Sequence, residues 1–155
     1  MEIFLDKKGF DEISNYITEL RKSLNDIRKE KGHAYMEDSN TWHDNYAFEF
    51  ANAREIDLLD QIENQLNTYN EAKLVERGND RTVCDIDDQI VIRFFDNFGF
   101  EDEQYTLVAK NLNIKSDEIS LNSPLGMAIY KQKFDSDICF ETDNKIQVKI
   151  KLMRK

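Results

Sequence analysis

Apolar residues in the first half of the chain recur at helical spacing. From Phe10 onward, Ile13, Ile17, Leu20, Leu24 and Ile27 fall three or four positions apart, with a less regular continuation to Ala34, which is the stripe of a coiled-coil helix. A second stripe runs through Tyr46, Phe50, Ala53, Leu58, Leu59, Ile62, Leu66 and Tyr69. Between Phe10 and Arg77 the only glycine or proline is Gly32, so both helices are predicted to be long. The polar stretch from Glu37 to Asp44 breaks both stripes and offers Ser39, Asn40 and Thr41 as N-caps; it reads as the tip of a helical hairpin. Helices of about 28 residues, rising about 1.5 Å each, would extend on the order of 40 Å. A two-helix seam is narrow, so such a finger needs a globular base.

The second half supplies one. After Glu76-Arg77-Gly78-Asn79-Asp80 the pattern changes to short β-rich runs at Thr82–Asp85, Gln89–Phe95, Gln104–Ala109, Asp137–Glu141 and Lys145–Leu152. Asp143-Asn144 suits a tight hairpin turn, because both residue types tolerate positive φ. Ser123 to Lys131 reads as a short helix with Ser123 at the N-cap and Pro124 at N1. The predicted class is therefore α+β, with an antiparallel helical hairpin over residues 1–78, a small antiparallel sheet domain with one short helix over 79–155, and a joint near Asn79–Arg81.

Charge narrows the functional classes. The 155 residues hold 21 Lys and Arg against 31 Asp and Glu, a net charge of −10, which opposes sequence-independent coating of nucleic acid, so no strong independent DNA binding is expected. The first 80 residues carry 10 basic and 18 acidic side chains, and the remainder 11 and 13, so the helical half holds most of the negative charge. Within it, Arg21, Lys22, Arg28, Lys29 and Lys31 make the outer part of the first helix basic, whereas Glu37 to Glu71 includes nine acids and one Arg. Interhelical ion pairs and a basic flank beside an acidic tip are both open readings. No apolar run approaches the roughly 20 residues of a membrane span, and no leader-like stretch opens the chain; a cytoplasmic protein without a membrane partner is expected. Cys84 and Cys139 lack CxxC spacing and are expected to be free thiols in strand-like runs. His33 and His43 have no partners at zinc spacing.

Asp117-Glu-Ile-Ser-Leu-Asn-Ser-Pro-Leu-Gly-Met-Ala-Ile-Tyr-Lys131, followed by Phe134-Asp-Ser-Asp137 and the last hairpin, resembles the bacterial Gre-type transcript cleavage and elongation factors. Tyr105-Thr-Leu-Val108 is similar to a strand of that family, and Gly9 stands where its first helix commonly carries a glycine. The resemblance implies a coiled-coil finger and an FKBP-like carboxy-terminal domain, acting as a monomer on RNA polymerase. The domain would hold the rim of the secondary channel, with Asn122, Ser123 and Pro124 as the polymerase-binding loop. The finger would reach the active site and the 3′ end of the nascent RNA, with Arg21, Lys22, Arg28, Lys29, Trp42 and His43 near the RNA. Tip carboxylates would help hold a Mg²⁺ shared with the polymerase, since hard oxygen ligands suit that ion. The family tip pattern corresponds to Thr41-Trp-His-Asp-Asn-Tyr-Ala-Phe48, so Asp44 replaces a Glu and Thr41 replaces an Asp. The catalytic carboxylates implied are Asp44, Asp38 and Glu37, with Asp44 as the metal contact. Each also has a structural reading: Asp44 as a helix-start charge, Trp42 as a plug on the coiled coil, Ser123 as a cap. The implied function is an accessory factor, not an enzyme by itself, that stimulates cleavage of backtracked RNA. The alternative is a paralogue with an altered tip that occupies the channel without cleavage. A prolyl isomerase ranks last, because no aromatic-lined pocket is legible.

Overall fold

A computed structural model describes residues 2–38 and 46–155. The chain divides into two compact units, Met1–Phe10 with Ala72–Lys155, and Asp11–Glu71. The first turn of the first helix therefore belongs with the sheet-bearing unit.

Helix α1 (Lys7–Asp38) begins before the apolar stripe does, because its start is polar. Asp6 caps it, accepting the Gly9 N–H at 2.7 Å. Ile13, Ile17, Leu20, Leu24 and Ala34 are buried as the spacing predicts. The helix continues through Gly32, so Glu37 and Asp38 stand in its last turn and not in the tip loop where the sequence pattern put them. A glycine in open space costs a helix only about 1 kcal/mol, and the seam carries on past it.

Helix α2 (Tyr46–Glu71) buries Ala51, Leu58 and Ile62. Contacts of Tyr35 with Phe48, Lys31 with Glu55 and Tyr16 with Gln61 show that α2 runs antiparallel to α1. Here the second predicted stripe needs correcting: Tyr46, Phe50, Ala53, Leu59 and Tyr69 are exposed. The seven-residue repeat through Leu58 and Ile62 runs back to Glu55, Ala51 and Phe48, so a charged residue and a small one fill seam positions while bulkier neighbours face water.

The sheet unit contains a two-stranded parallel pair, β1 (Phe4–Leu5) with β2 (Lys73–Leu74), which flanks the helical segment in sequence. Its five-stranded sheet comprises β3 (Gln89–Asp96), β4 (Gly99–Val108), β5 (Glu118–Ser120), β6 (Ser136–Glu141) and β7 (Gln147–Arg154), in the order β5-β4-β3-β7-β6. All pairs are antiparallel except β4 with β5. Helix α3 (Pro124–Ile129) packs Ile129 into a core with Ile90, Ile92, Leu107, Ile119, Leu121, Ile150 and Leu152.

Several predicted details differ. Thr82–Asp85 makes only an isolated bridge, Val83 to Lys133, because Asp85 turns inward. The turn after β6 does fall at Asp143-Asn144, but the positive φ of 61° is at Lys145. Cys84 is buried in the core, where burial pushes its thiol pKa up to about 12. Cys139 instead is exposed on β6.

The inward turn at Asp85 organises residues 77–88. Its carboxylate accepts the Lys131 ammonium at 2.5 Å and the N–H groups of Gly78 and Ile86 at 2.8 Å each. Burial raises the Asp85 pKa, but these donors outweigh it and hold the carboxyl below the usual range. Asp88 accepts the Asp85 N–H, and Arg77 joins Asp88 to the Ile86 carbonyl. A lowered folded-state pKa means that this stabilisation is complete above the ordinary value of 3.8 and disappears as pH falls through the folded value. Asp85→Ala should lower stability by about 2–3 kcal/mol at neutral pH, and Asp85→Asn should reduce the loss of stability on acidification, both read by denaturant titration. A Cβ at Gly126 would lie 1.9 Å from the Ser120 carbonyl oxygen, so Gly126→Ala should cost at least about 2 kcal/mol in the same assay.

Candidate functional site

The segment Asp117–Lys131 folds into β5, a tight turn and α3. Ser123 sits at φ −84° and ψ 158°, outside the helix, and its Oγ accepts the Gly126 N–H at 3.0 Å while donating to the Ser120 carbonyl at 2.6 Å. Pro124 occupies the first helical turn, where a missing N–H is harmless. Gly126 lets α3 lie directly on the Ser120 backbone. Upstream, the Lys115 N–H and then the Lys110 ammonium hold Glu118 below the usual carboxylate range. The result is a rigid helix start with Pro124 half-buried and Met127 exposed.

Asn122 has a different task. Its Oδ1 accepts the Phe4 N–H at 2.8 Å, and its Nδ2 donates to the Phe4 carbonyl at 2.9 Å and to Asn111 Oδ1 at 2.8 Å. The side chain thus behaves as a strand partner for β1. Of the three loop residues singled out by sequence, Asn122 and Ser123 are engaged within the chain, and Pro124 is the one whose surface position stands beside Met127.

In the helical unit, Arg21 with Arg28 and Lys22 with Lys29 are separated by seven residues each, so they form two parallel rows on α1. All four are exposed, and among the described residues none makes an ion pair. Arg21 also borders a groove of about 260 Å³ lined with Ser14, Ile17, Thr18, Leu66 and Tyr69. The interhelical ion pair that the described residues do contain joins Lys31 Nζ to Glu55 Oε2 at 3.6 Å, with Lys31 also 5.5 Å from the centre of the Phe48 ring. Both residues occupy seam positions, 27% and 18% exposed in their side chains. Extending the first stripe from Ile27 by four and then three residues would have found Lys31 and Ala34 as seam positions; tracking apolar residue types alone passes over Lys31.

Asp44, Trp42 and His43 lie outside the described residues, and Glu37 and Asp38 are placed here only as backbone in the last turn of α1. Among the described residues no group of three or more His, Cys, Asp or Glu could hold a metal ion. A Mg²⁺ would therefore need ligands from beyond these residues.

No protein-family model matches the chain, and no curated protein matches it. Among solved structures, it is similar to GreA factor homolog 1 (Gfh1) of Thermus thermophilus, with 18% identity, coverage of 99% of this chain and 97% of the other, and a TM-score of 0.45. Gfh1 of Thermus aquaticus gives 17% identity, coverage of 98% and 96%, and a TM-score of 0.43. The prokaryotic transcription elongation factor GreA/GreB from Nitrosomonas europaea gives 12%, 99% and 97%, and 0.36. At these identities and TM-scores the likenesses carry no functional argument.

Two stability outcomes check the site's geometry. Replacing a partly buried ion pair by apolar side chains is commonly stabilising, so the double variant Lys31→Leu with Glu55→Leu should stabilise the helical unit by about 1 kcal/mol or more, seen as a higher thermal midpoint by circular dichroism. Ser123→Ala removes a cap and should cost about 1 kcal/mol.

Proposed function

We propose that this chain is a Gre-like transcription factor that binds RNA polymerase at its secondary channel and modulates backtracked elongation complexes. The observation that carries the reading is the segment Asp117–Lys131, whose residues resemble the family's and which forms a rigid, capped helix start with Pro124 and Met127 at the surface. The antiparallel helical hairpin with its two exposed basic rows is compatible with it, since exposed cations on an otherwise acidic unit suit an RNA phosphate. In this reading the protein is an accessory factor without an activity of its own, and it adds carboxylate to a site that belongs to the polymerase. Stimulated transcript cleavage is the form of modulation proposed.

The rewritten tip favours a second reading, a paralogue that occupies the channel without cleaving. Where the family pattern has two acids, this chain has Thr41 and Asp44, and a single carboxylate is a poorer partner for a shared Mg²⁺ than a pair. The two readings predict different RNA products. In a purified, deliberately backtracked elongation complex with Mg²⁺, cleavage stimulation should shorten the RNA rapidly, and Asp44→Asn should slow that by tenfold or more, about 1.4 kcal/mol or more in the barrier, while polymerase binding persists. Intact RNA together with slowed elongation that is indifferent to Asp44→Asn would replace cleavage with channel occupation.

A further inference from the structure

The five-stranded sheet ends on β6, a six-residue strand with one side unpaired, whereas the strand at its other end, β5, has three residues. The Thr142 N–H bonds the Ile146 carbonyl at 2.9 Å in the register of β6 with β7. Antiparallel alternation then turns the N–H and C=O groups of Ser136, Ile138 and Phe140 toward β7, and those of Asp137, Cys139 and Glu141 outward. Among the described residues no partner bonds these outward groups. The strand contains no proline, and its register with β7 runs without a break from Ser136 to Glu141. On the outer face, register sets Lys149 opposite Cys139, with Phe95 next along the row. These three line a groove of about 340 Å³ together with Asp137, Ile138 and Ile150. Its aromatic wall is pre-ordered: the Phe95 and Phe100 ring centroids are 6.4 Å apart, and the Arg93 guanidinium, bonded to both carboxylate oxygens of Asp102, lies 3.9 Å from the Phe100 centroid. On the other face, Ile138 and Phe140 are half-buried against the core.

Open main-chain groups select an extended polypeptide, because an added strand pairs them in a ladder that nucleic acid and lipid cannot match. A second copy is a poor occupant. Full antiparallel pairing of β6 with itself is centred on Cys139 and sets Asp137 against the other copy's Glu141 twice, between chains of net charge −10. A different segment meets other demands. Its positions beside Ile138 and Phe140 would cover half-buried apolar side chains, and the position beside Cys139 would send a large apolar side chain into the groove. Its end positions would face the Asp137 and Glu141 carboxylates. Lys149 and Lys151 share that outer face, but they stand one strand further in, about 10 Å from an added backbone against about 5 Å for the acids. Among the described residues neither lysine forms an ion pair with those acids, and Glu141 is bonded by the neutral Gln147 amide at 2.8 Å. The matching segment is therefore apolar at its middle positions and carries Lys or Arg at both ends.

We propose that β6 is a docking edge that takes up an extended segment of another protein as an added strand, in the pattern basic, apolar, aromatic, apolar, basic. The test titrates the full chain, under reducing conditions and at near-physiological salt, into a labelled, end-blocked peptide Lys-Ile-Phe-Ile-Lys and follows fluorescence anisotropy. Saturable one-to-one binding is expected. Methylating the peptide's Phe nitrogen, which faces Cys139 in the added ladder, leaves every charge in place and should weaken binding at least about tenfold. Cys139→Pro should do the same from the protein side, with an unchanged thermal midpoint, because the N–H it removes points away from β7. If that variant misfolds, Glu141→Lys supplies the protein-side reading, with an expected loss of about threefold or more that shrinks as salt is raised. Absence of binding would overturn the proposal. So would equal binding of the methylated peptide, which would show simple attraction of a cationic peptide to an acidic chain. Dimers of the chain alone that Cys139→Pro dissociates, seen by sedimentation, would overturn it in favour of a second copy.

Discussion

The Asn122 side chain hydrogen-bonds both backbone groups of Phe4, 118 positions away in sequence, and much of the sheet unit's organisation follows from that pairing. It fixes β1, which in turn pairs with β2, so the residues just before the helical segment and just after it lie side by side. The Asp6 N–H then bonds the Ala109 carbonyl, and α1 starts so close to that carbonyl that a Cβ at Gly9 would come within 2.5 Å of it. An amide that supplies both a donor and an acceptor to one residue can stand in for a strand. Asn122 therefore links the loop before α3 to the root of the helical segment.

The helical unit is not uniform along its length. Its interior half packs Leu20, Leu24, Leu58 and Ile62, whereas the half nearer residues 38 and 46 places Lys31, Ala34, Ala51 and Glu55 at the seam. Small and charged seam residues bury less apolar surface and keep charges partly hydrated, so that half is held more weakly. An ion pair in a seam also penalises slipped registers, which would leave a charge without its partner.

The proposed contacts separate by chemistry. The α3 start offers a capped backbone with Pro124 and Met127, the β3–β4 hairpin offers clamped aromatic rings near the open β6 edge, and α1 offers exposed cations. None of these needs a bound metal or an enclosed cavity.

The sequence by itself determined what depends on neighbours along the chain. The long helices follow from the stripe and the near absence of Gly and Pro, the Ser123 cap and Pro124 start follow from local turn chemistry, and the strands over Gln89–Phe95 and Asp137–Glu141 follow from β-rich runs. The docking role proposed for that loop came from the family resemblance of Asp117–Lys131 and not from local chemistry, which by itself indicates only a helix cap. Tertiary structure alone decided the register of α2, because Tyr46, Phe50 and Ala53 make as plausible a stripe as Phe48, Ala51 and Glu55 until α1 is laid against them. It also decided that Asn122 serves Phe4, that Asp85 turns inward to Lys131, and that Glu118–Ser120 joins β4 in parallel. Each of these joins residues far apart in the chain, and their energy comes from pairing buried polar groups or excluding water between surfaces. Periodicity and spacing carry no record of which distant group will be the partner.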